Sequence, residues 1–341
     1  MKPAAVRLVP QLRYDSKVYP VDLVWSADAS TLLLASGDGE LVRVDARREA
    51  PLRVLGAHSG GALAVAWQRA GPLFASSGQD GEVRLWDSRS DTAEVIASGD
   101  WSEHLAFSPD GRSLAVATGR RLRLFDANGQ EAMQLPEGAS GILAIAWKPM
   151  GRELAAVGNG GLRVHQLGAA VQSRDYPWKG ACLTASWRAD GRVLASGLQD
   201  GSVHFWNLAA GSQSQMRGYG ARVLHTSWSA NSRYLATAAD QRIVVWDFTG
   251  RGPEGSAPLE FTAHTERVTQ LHFAPHGPYL LSASRDRRLL LWRPGIAAEP
   301  LDADLLGDEV LLVRFSRDGE RVAVADRGGA LTLYALTRSP A

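Results

Sequence analysis

Apolar residues recur along this chain in short alternating runs separated by turn residues, and the runs come in threes. The unit is clearest in residues 57–87, AHSGGALAVAWQRAGPLFASSGQDGEVRLWD. Residues 63–67 alternate around small side chains, 72–77 form a compact apolar run, and 82–86 alternate again. Gly71 and Gln79-Asp80-Gly81 separate them. A period of two over such lengths predicts strands, and Gly-containing gaps predict tight turns. Four polar or aromatic residues interrupt the apolar unit: His58, Ser76, Asp80 and Trp86. They are 18, 4 and 6 positions apart, and the same offsets return at His264, Ser282, Asp286 and Trp292. A buried donor or acceptor is costly unless paired, so this spacing predicts a closed hydrogen-bond relay.

An aromatic residue ending the innermost run sets the register, at Trp25, Trp67, Phe107, Trp147, Trp187, Trp228, Phe273 and Phe315. The spacings are 42, 40, 40, 40, 41, 45 and 42 residues, so eight copies follow one another. The pre-strand His, the Ser-x-x-x-Asp turn and the closing Trp86-Asp87, repeated as Trp246-Asp247, resemble the WD-repeat family of β-propellers (G-protein β-subunit-like repeats). The resemblance implies an all-β fold, an eight-bladed β-propeller of four-stranded antiparallel blades, with residues 1–341 as a single domain. Blades start near 18, 61, 101, 141, 181, 222, 267 and 309. Seven copies are followed by a segment able to form an outer strand, such as 52–55, 132–135 and 259–261. After Tyr334 only seven residues remain. The strand-like run 5–9, within residues 5–12, is expected to complete the last blade and close the ring, which hides its edge strands. A seven-bladed ring with one unit appended is the alternative.

The copies are uneven, and only blades 2 and 7 carry the whole relay. Blade 5 keeps Ser196, Asp200 and Trp206, with Trp178 in the His place. Blade 6 has Tyr219 and Thr237 in the His and Ser places. Blade 3 has Val116 and Phe125, blade 4 Ala156 and His165, and blade 8 Val324 and Tyr334. Blade 1 keeps Asp38 but has Val44 for Trp. Apolar packing is expected to replace the relay in those copies. The longest departure from the repeat, TGRGPEGSAP at 249–258, reads as a surface loop.

Composition narrows the function. With 37 basic against 36 acidic side chains, the chain lacks the basic excess of a nucleic-acid binder. Cys182 is the only cysteine, so no internal disulfide forms and a reducing, cytoplasmic setting is expected. The opening MKPAAVRLVPQLRYD lacks an apolar core of signal-peptide length, and no apolar run approaches ~18 residues, so no membrane span is predicted. No phosphate loop, Gly-x-Ser-x-Gly elbow or Cys-x-x-Cys pair occurs. Gly158-Asn159-Gly160-Gly161 reads as a turn between strands. His272 and His276 flank a strand end rather than sharing a helix face, and His204 and His225 read as packing or surface residues. No catalytic residue, cofactor or metal ligand is assigned, and the chain reads as a nonenzyme without a fused catalytic domain.

The resemblance also implies a partner face, built from the loops into the inner strand and the turns between the second and third strands. Three residues after the His place lie Tyr19, Gly61, Trp101, Gly141, Ala181, Arg222, Arg267 and Glu309. Five after it lie Val21, Leu63, Glu103, Leu143, Leu183, Leu224, Thr269 and Leu311. Before the turn Asp lie Gly37, Gln79, Gln199 and Arg285, with Arg120, Asn159 and Arg327 near the altered turns. Five Leu and one Val in the second set would form an apolar collar beside Tyr19 and Trp101, a patch suited to a protein or peptide. A strand bulge would instead turn them into the packing between blades. Arg222, Arg267, Arg285, Arg287 and Arg288 suit an acidic or phosphorylated segment, with Glu266, Asp308 and Glu309 close enough in the chain to neutralise them. The partner-binding candidates are thus Tyr19, Leu63, Trp101, Glu103, Leu143, Leu183, Arg222, Leu224, Arg267, Arg285 and Leu311. The chain reads as a scaffold or adaptor, a monomeric ring within a larger complex, that offers its loop face and axial opening to another protein or peptide. A propeller enzyme or small-ligand binder with its site at the central channel is the alternative.

Overall fold

In a computed structural model, residues 6–250 and 252–338 are described, and every regular element among them is a β-strand. Local chemistry turns the chain back after several of the first strands. Ser26 Oγ bonds Asp28 at 2.8 Å, Ser108 Oγ bonds Asp110 at 2.6 Å and Ser229 Oγ bonds Asn231 at 2.7 Å. The carboxylate or amide also takes a backbone N–H two residues on, as Asp28 does from Ser30 at 3.1 Å. Such side-chain mimicry of a turn is what Asp, Asn and Ser supply. The chain divides into two compact units, Val18–Trp187 and the remainder, which joins the segment through Lys17 to everything from Arg188 onward.

In the first unit, blade 1 is Pro20–Trp25, Thr31–Ser36, Glu40–Asp45 and Arg53–Ala57. Blade 2 is Ala62–Trp67, Leu73–Gly78, Val83–Asp87 and Thr92–Ala97. Blade 3 is His104–Phe107, Ser113–Thr118, Arg121–Asp126 and Glu131–Gln134. Blade 4 has Ile142–Trp147, then one long run Glu153–Gln166, then Gln172–Ala181. The long run folds back on itself, for Leu167 N donates to Arg152 O at 2.8 Å, so it fills both middle positions. Gly160 and Gly161, with φ of 93° and 122°, take the bend, which residues with a Cβ rarely adopt.

The core lies between blades. Leu33, Ala35 and Leu41 of blade 1 pack on Val65, Phe74 and Trp86 of blade 2, and the next two blade pairs repeat the arrangement. Each second strand is therefore buried on both faces. This explains the recurrent small residue at its centre: Ala75, Ala115 and Ala155 are fully buried, where a larger side chain would push the sheets apart. Polar links add to this packing. Trp147 Nε1 donates to Ala106 O at 2.9 Å, and Trp187 Nε1 donates to Ala146 O at 3.0 Å.

The second unit holds blades 5 to 8. Blade 5 runs Val193–Gly197, Val203–Asn207 and Ser212–Met216 after the short inner strand Ser186–Trp187 at the unit boundary. Blade 6 is His225–Trp228, Tyr234–Ala239, Arg242–Asp247 and Leu259–Phe261. Blade 7 is Val268–Phe273, Leu280–Ser284, Arg288–Trp292 and Asp302–Leu305. Blade 8 is Val310–Phe315, Arg321–Asp326 and Ala330–Arg338, completed by Val6–Asp15 as the outer strand.

That N-terminal strand runs further than residues 5–12, pairing from Val6 opposite Arg338 to Asp15 opposite Ala330, while Ala5 lies outside the described residues. Its Pro10 is tolerated because the strand is outermost and one edge needs no donor. Val6 and Leu8 face inward and pack with Leu306 and Tyr334. Eight such sheets make the fold the eight-bladed β-propeller expected from the repeat count, rather than a seven-bladed one.

Candidate protein-binding face

The relay positions of blades 2 and 7 sit beneath the loops and set their geometry. His58 Nδ1 lies 2.9 Å from Asp80 Oδ1, and His58 Nε2 lies 2.8 Å from Ser76 Oγ. Trp86 Nε1 donates to Ser76 Oγ at 2.9 Å. In blade 7, His264 is 2.9 Å from Asp286 and 2.8 Å from Ser282, and Trp292 Nε1 donates to Ser282 Oγ at 2.8 Å. Burial holds both imidazoles below their usual range despite the neighbouring carboxylates, so they are neutral near pH 7. Burial also opposes ionisation of Asp80. Bonds from Glu82 N, His58 and Ser59 N outweigh it and keep that carboxyl below its usual range. The ring proton therefore sits on Nδ1 facing the carboxylate, Nε2 accepts from the Ser hydroxyl, and that hydroxyl accepts from the indole.

Blade 3 meets the expectation of apolar replacement, with Val116 and Phe125 buried in the core, whereas blades 6 and 8 depart from it. In blade 6 a second polar relay forms: Tyr219 Oη lies 2.6 Å from Thr237 Oγ1, and Trp246 Nε1 donates to Tyr219 Oη at 2.7 Å. A phenol reaches as far as an imidazole and also accepts, so a change of residue type at both places keeps the relay polar. In blade 8 Tyr334 Oη donates to Asp304 at 2.7 Å. Blade 5 goes the other way. Ser196 Oγ donates to Gly197 O at 3.2 Å, Asp200 accepts from Ser202 N at 3.1 Å, and buried Trp206 has no acceptor for its Nε1 among the described residues. Trp178, assigned to the His place of blade 5, lies on the outer strand Gln172–Ala181 of blade 4. Cys182 is buried, and its N–H donates to Gly158 O at 3.2 Å.

The collar residues are placed by bulges. Pairing shifts register around Val21, Leu63, Leu143, Thr269 and Leu311, so each is the extra residue on its inner strand. A bulge re-aims the side chain it carries. Of the Leu and Val in this set, Leu143 is 40% exposed, and Val21, Leu63, Leu183, Leu224 and Leu311 are half-buried.

In the first unit, Trp101 is 53% exposed, yet its Nε1 donates to Gln79 O at 2.7 Å. Gln79 in turn receives Gly61 N at 3.2 Å. Tyr19 is 52% exposed and lies over Gly37, where a Cβ would come within 3.5 Å of the ring. A groove of about 660 Å³ runs past Trp101, Glu103, Arg120, Gly141, Ile142 and Leu143.

In the second unit, Arg285 N donates to Arg267 O at 3.1 Å, which joins the two loops of blade 7. Burial and the charges of Arg222 and Arg285 hold the Arg267 guanidinium below its usual range. Glu309 lies 3.9 Å from Arg285 and 3.6 Å from Arg327, so the basic patch is partly neutralised. Beside it, Arg314 Nη1 donates to Gln270 Oε1 at 2.9 Å and lies 3.1 Å from His272 Nε2. Burial, with Arg267 and Arg314 nearby, pushes His225 down to about 4. Among the described residues no group of three or more His, Cys, Asp or Glu is arranged to hold a metal, and no helix is long and apolar enough to cross a membrane.

The WD domain, G-beta repeat family model matches residues 49–87, 177–207, 211–247 and 255–293. The WD repeat-containing protein slp1 of Schizosaccharomyces pombe is 23% identical over 287 residues, covering 82% of this chain and 50% of slp1. Cell division cycle 20.4, cofactor of APC complex, from Arabidopsis thaliana is 24% identical over 303 residues, 83% of this chain and 66% of that protein. The Intraflagellar transport protein 80 homolog of Rattus norvegicus is 32% identical over 177 residues, 50% of this chain and 21% of that protein. The chain thus spans about half the length, or less, of several curated relatives it matches. It carries four matches to the WD repeat within a fold of eight four-stranded blades, and it is similar to WD-repeat proteins.

Proposed function

We propose that this chain is a noncatalytic adaptor that holds another protein or peptide against its loop face. The observation that carries this reading is Trp101, an exposed indole held in place by its bond to Gln79 O and standing beside the groove that ends at Leu143. An aromatic anchor that is already ordered loses little entropy on binding, and such residues dominate interfaces. Leu143, itself 40% exposed, extends the apolar surface, and two relatives point the same way, one named a WD repeat-containing protein and one a cofactor of a complex. A cytoplasmic setting within a larger complex belongs to this reading, supported by the single buried cysteine.

The test is affinity capture from the native host, with Trp101→Ala and Leu143→Glu/Leu183→Glu/Leu224→Glu run beside the parent. Both variants should fold with the parent's melting temperature and lose at least about tenfold of the captured partner, the size expected of a hot spot above 1.4 kcal/mol. Equal capture by all three proteins would move the interface off this face.

A further inference from the structure

Blade 4 differs from blades 2 and 7 at the relay, and a cavity lies there. Register sets the equivalence. Val65 faces Ser76 and Trp67 faces Phe74 in blade 2, as Ile145 faces Ala156 and Trp147 faces Leu154 in blade 4. Ser88 N donates to Pro72 O in one hairpin, and Leu167 N to Arg152 O in the other. Ala156 therefore stands in the place of Ser76, and His165 in the place of Trp86. Gly138, 18 residues before Ala156, stands where His58 does.

An imidazole, a hydroxyl and part of an indole are thus missing. The result is a cavity of about 230 Å³ lined by Leu122, Pro136, Gly138, Ile142, Ala156 and His165, among others. In blade 2 the relay ring fills this place so tightly that a Cβ on Gly78 would lie 2.3 Å from His58 Cγ. At the counterpart of Gly78, Gly158, a Cβ would instead lie 2.2 Å from Gly141 O, so backbone and not a ring closes that side, while a Cβ on Gly138, in the His place, would meet nothing nearer than Ser140 O at 3.7 Å. A cavity of ~150 Å³ lined by apolar residues already takes up benzene, so this one has room for an indole or a phenol.

His165 is the buried polar group of a lining that also includes Ser140, Asn159, Arg163 and Asp175. It is 2% exposed, and its Nδ1 lies 2.8 Å from Ser173 Oγ. Burial, then the charge of Arg163, pushes it down to about 4, so the ring is neutral at pH 7 and its second nitrogen can accept a proton donor. The cavity shares Arg120, Gly141 and Ile142 with the groove beside Trp101, so a chain lying in the groove passes its mouth.

We propose that this cavity is the anchor site for one aromatic side chain of the partner polypeptide, a Trp or Tyr whose ring N–H or O–H is received by His165. The inserted ring restores from outside the packing that blades 2 and 7 make from within. The inference rests on the adaptor reading and names a contact within it.

The probes are N-acetyl-tryptophanamide and N-acetyl-leucinamide, titrated into isotope-labelled protein while the His165 ring and Ile142 methyl resonances are followed by NMR. The tryptophan amide should give saturable shifts at least tenfold tighter than the leucine amide. Gly138→Leu, which fills the cavity from inside, should abolish them without lowering the melting temperature. His165→Trp, which supplies the blade 2 indole, serves as a second filled variant should the first not fold. No saturable shift in the parent, or shifts that survive in the filled variants, overturns the anchor site. Partner capture separates the two ideas. A partner lost with Trp101→Ala but kept by both filled variants removes the anchor and leaves the adaptor, whereas one kept by every variant removes both.

Discussion

A single hydroxyl organises each full relay. Ser282 accepts from Trp292 and donates to His264, so removing it strands two buried groups at once. Ser282→Ala or Asp286→Ala is expected to cost about 1–3 kcal/mol, read as a lower urea midpoint at unchanged m-value. Trp292→Phe should cost about 1 kcal/mol in hydrogen bonding beyond any packing loss, whereas Trp206→Phe, whose indole lacks an acceptor among the described residues, should cost less. Equal costs for the two Trp variants would mean that the relay adds nothing to packing. The histidines set the pH response. His165, His204 and His225 are each held at about 4, chiefly by burial. Their unfolded values lie near 6.5, so between pH 4 and 6.5 the unfolded chain binds more protons, and stability rises with pH. Their contribution is complete above pH 6.5 and is lost as pH falls towards 4, by about 1 kcal/mol per histidine per pH unit. Urea midpoints measured from pH 7 to 4.5 should fall steadily, and a flat profile would show these rings to be solvated.

At the scale of elements, the N-terminal strand and the inner-strand bulges decide what is covered and what is offered. Leu8 packs beside Tyr334, and its N–H donates to Asp302 Oδ2 at 2.7 Å. Leu8→Asp would bury a carboxylate near an existing one and should cost at least about 3 kcal/mol, while Arg7→Asp on the exposed side should stay within about 0.5 kcal/mol. Thermal unfolding of the two variants checks this, and similar melting temperatures would mean that the strand is only loosely held. The bulges were half legible. Leu at the fifth position after the His place recurs, so the positions could be read from spacing. The direction of the side chain could not, because one inserted residue reverses the face and leaves no mark in an alternating pattern.

For the whole molecule, stability and binding should separate. Ser282→Ala is expected to lower the unfolding midpoint and keep partner capture, and Leu143→Glu to do the reverse. A variant that moved both together would tie the loop face to the relay beneath it. Such independence follows from the construction. Blades bury their apolar faces against neighbours, as Leu33 and Ala35 do on Phe74 and Trp86, which leaves the loops free to vary without loss of core.

The amino-acid sequence by itself determined the strands, the turns, the eightfold count and the relay of blades 2 and 7, because alternation, turn chemistry and fixed offsets are local and repeat. Only the tertiary structure decided that Tyr219 takes over the role of His in blade 6, that Trp206 is left without an acceptor among the described residues, and that the Leu residues at bulges are only partly buried. It also decided that Gly138, Ala156 and His165 leave a cavity. Each of these depends on how far a side chain reaches across a blade and what meets it there, a distance that spacing along the chain does not encode.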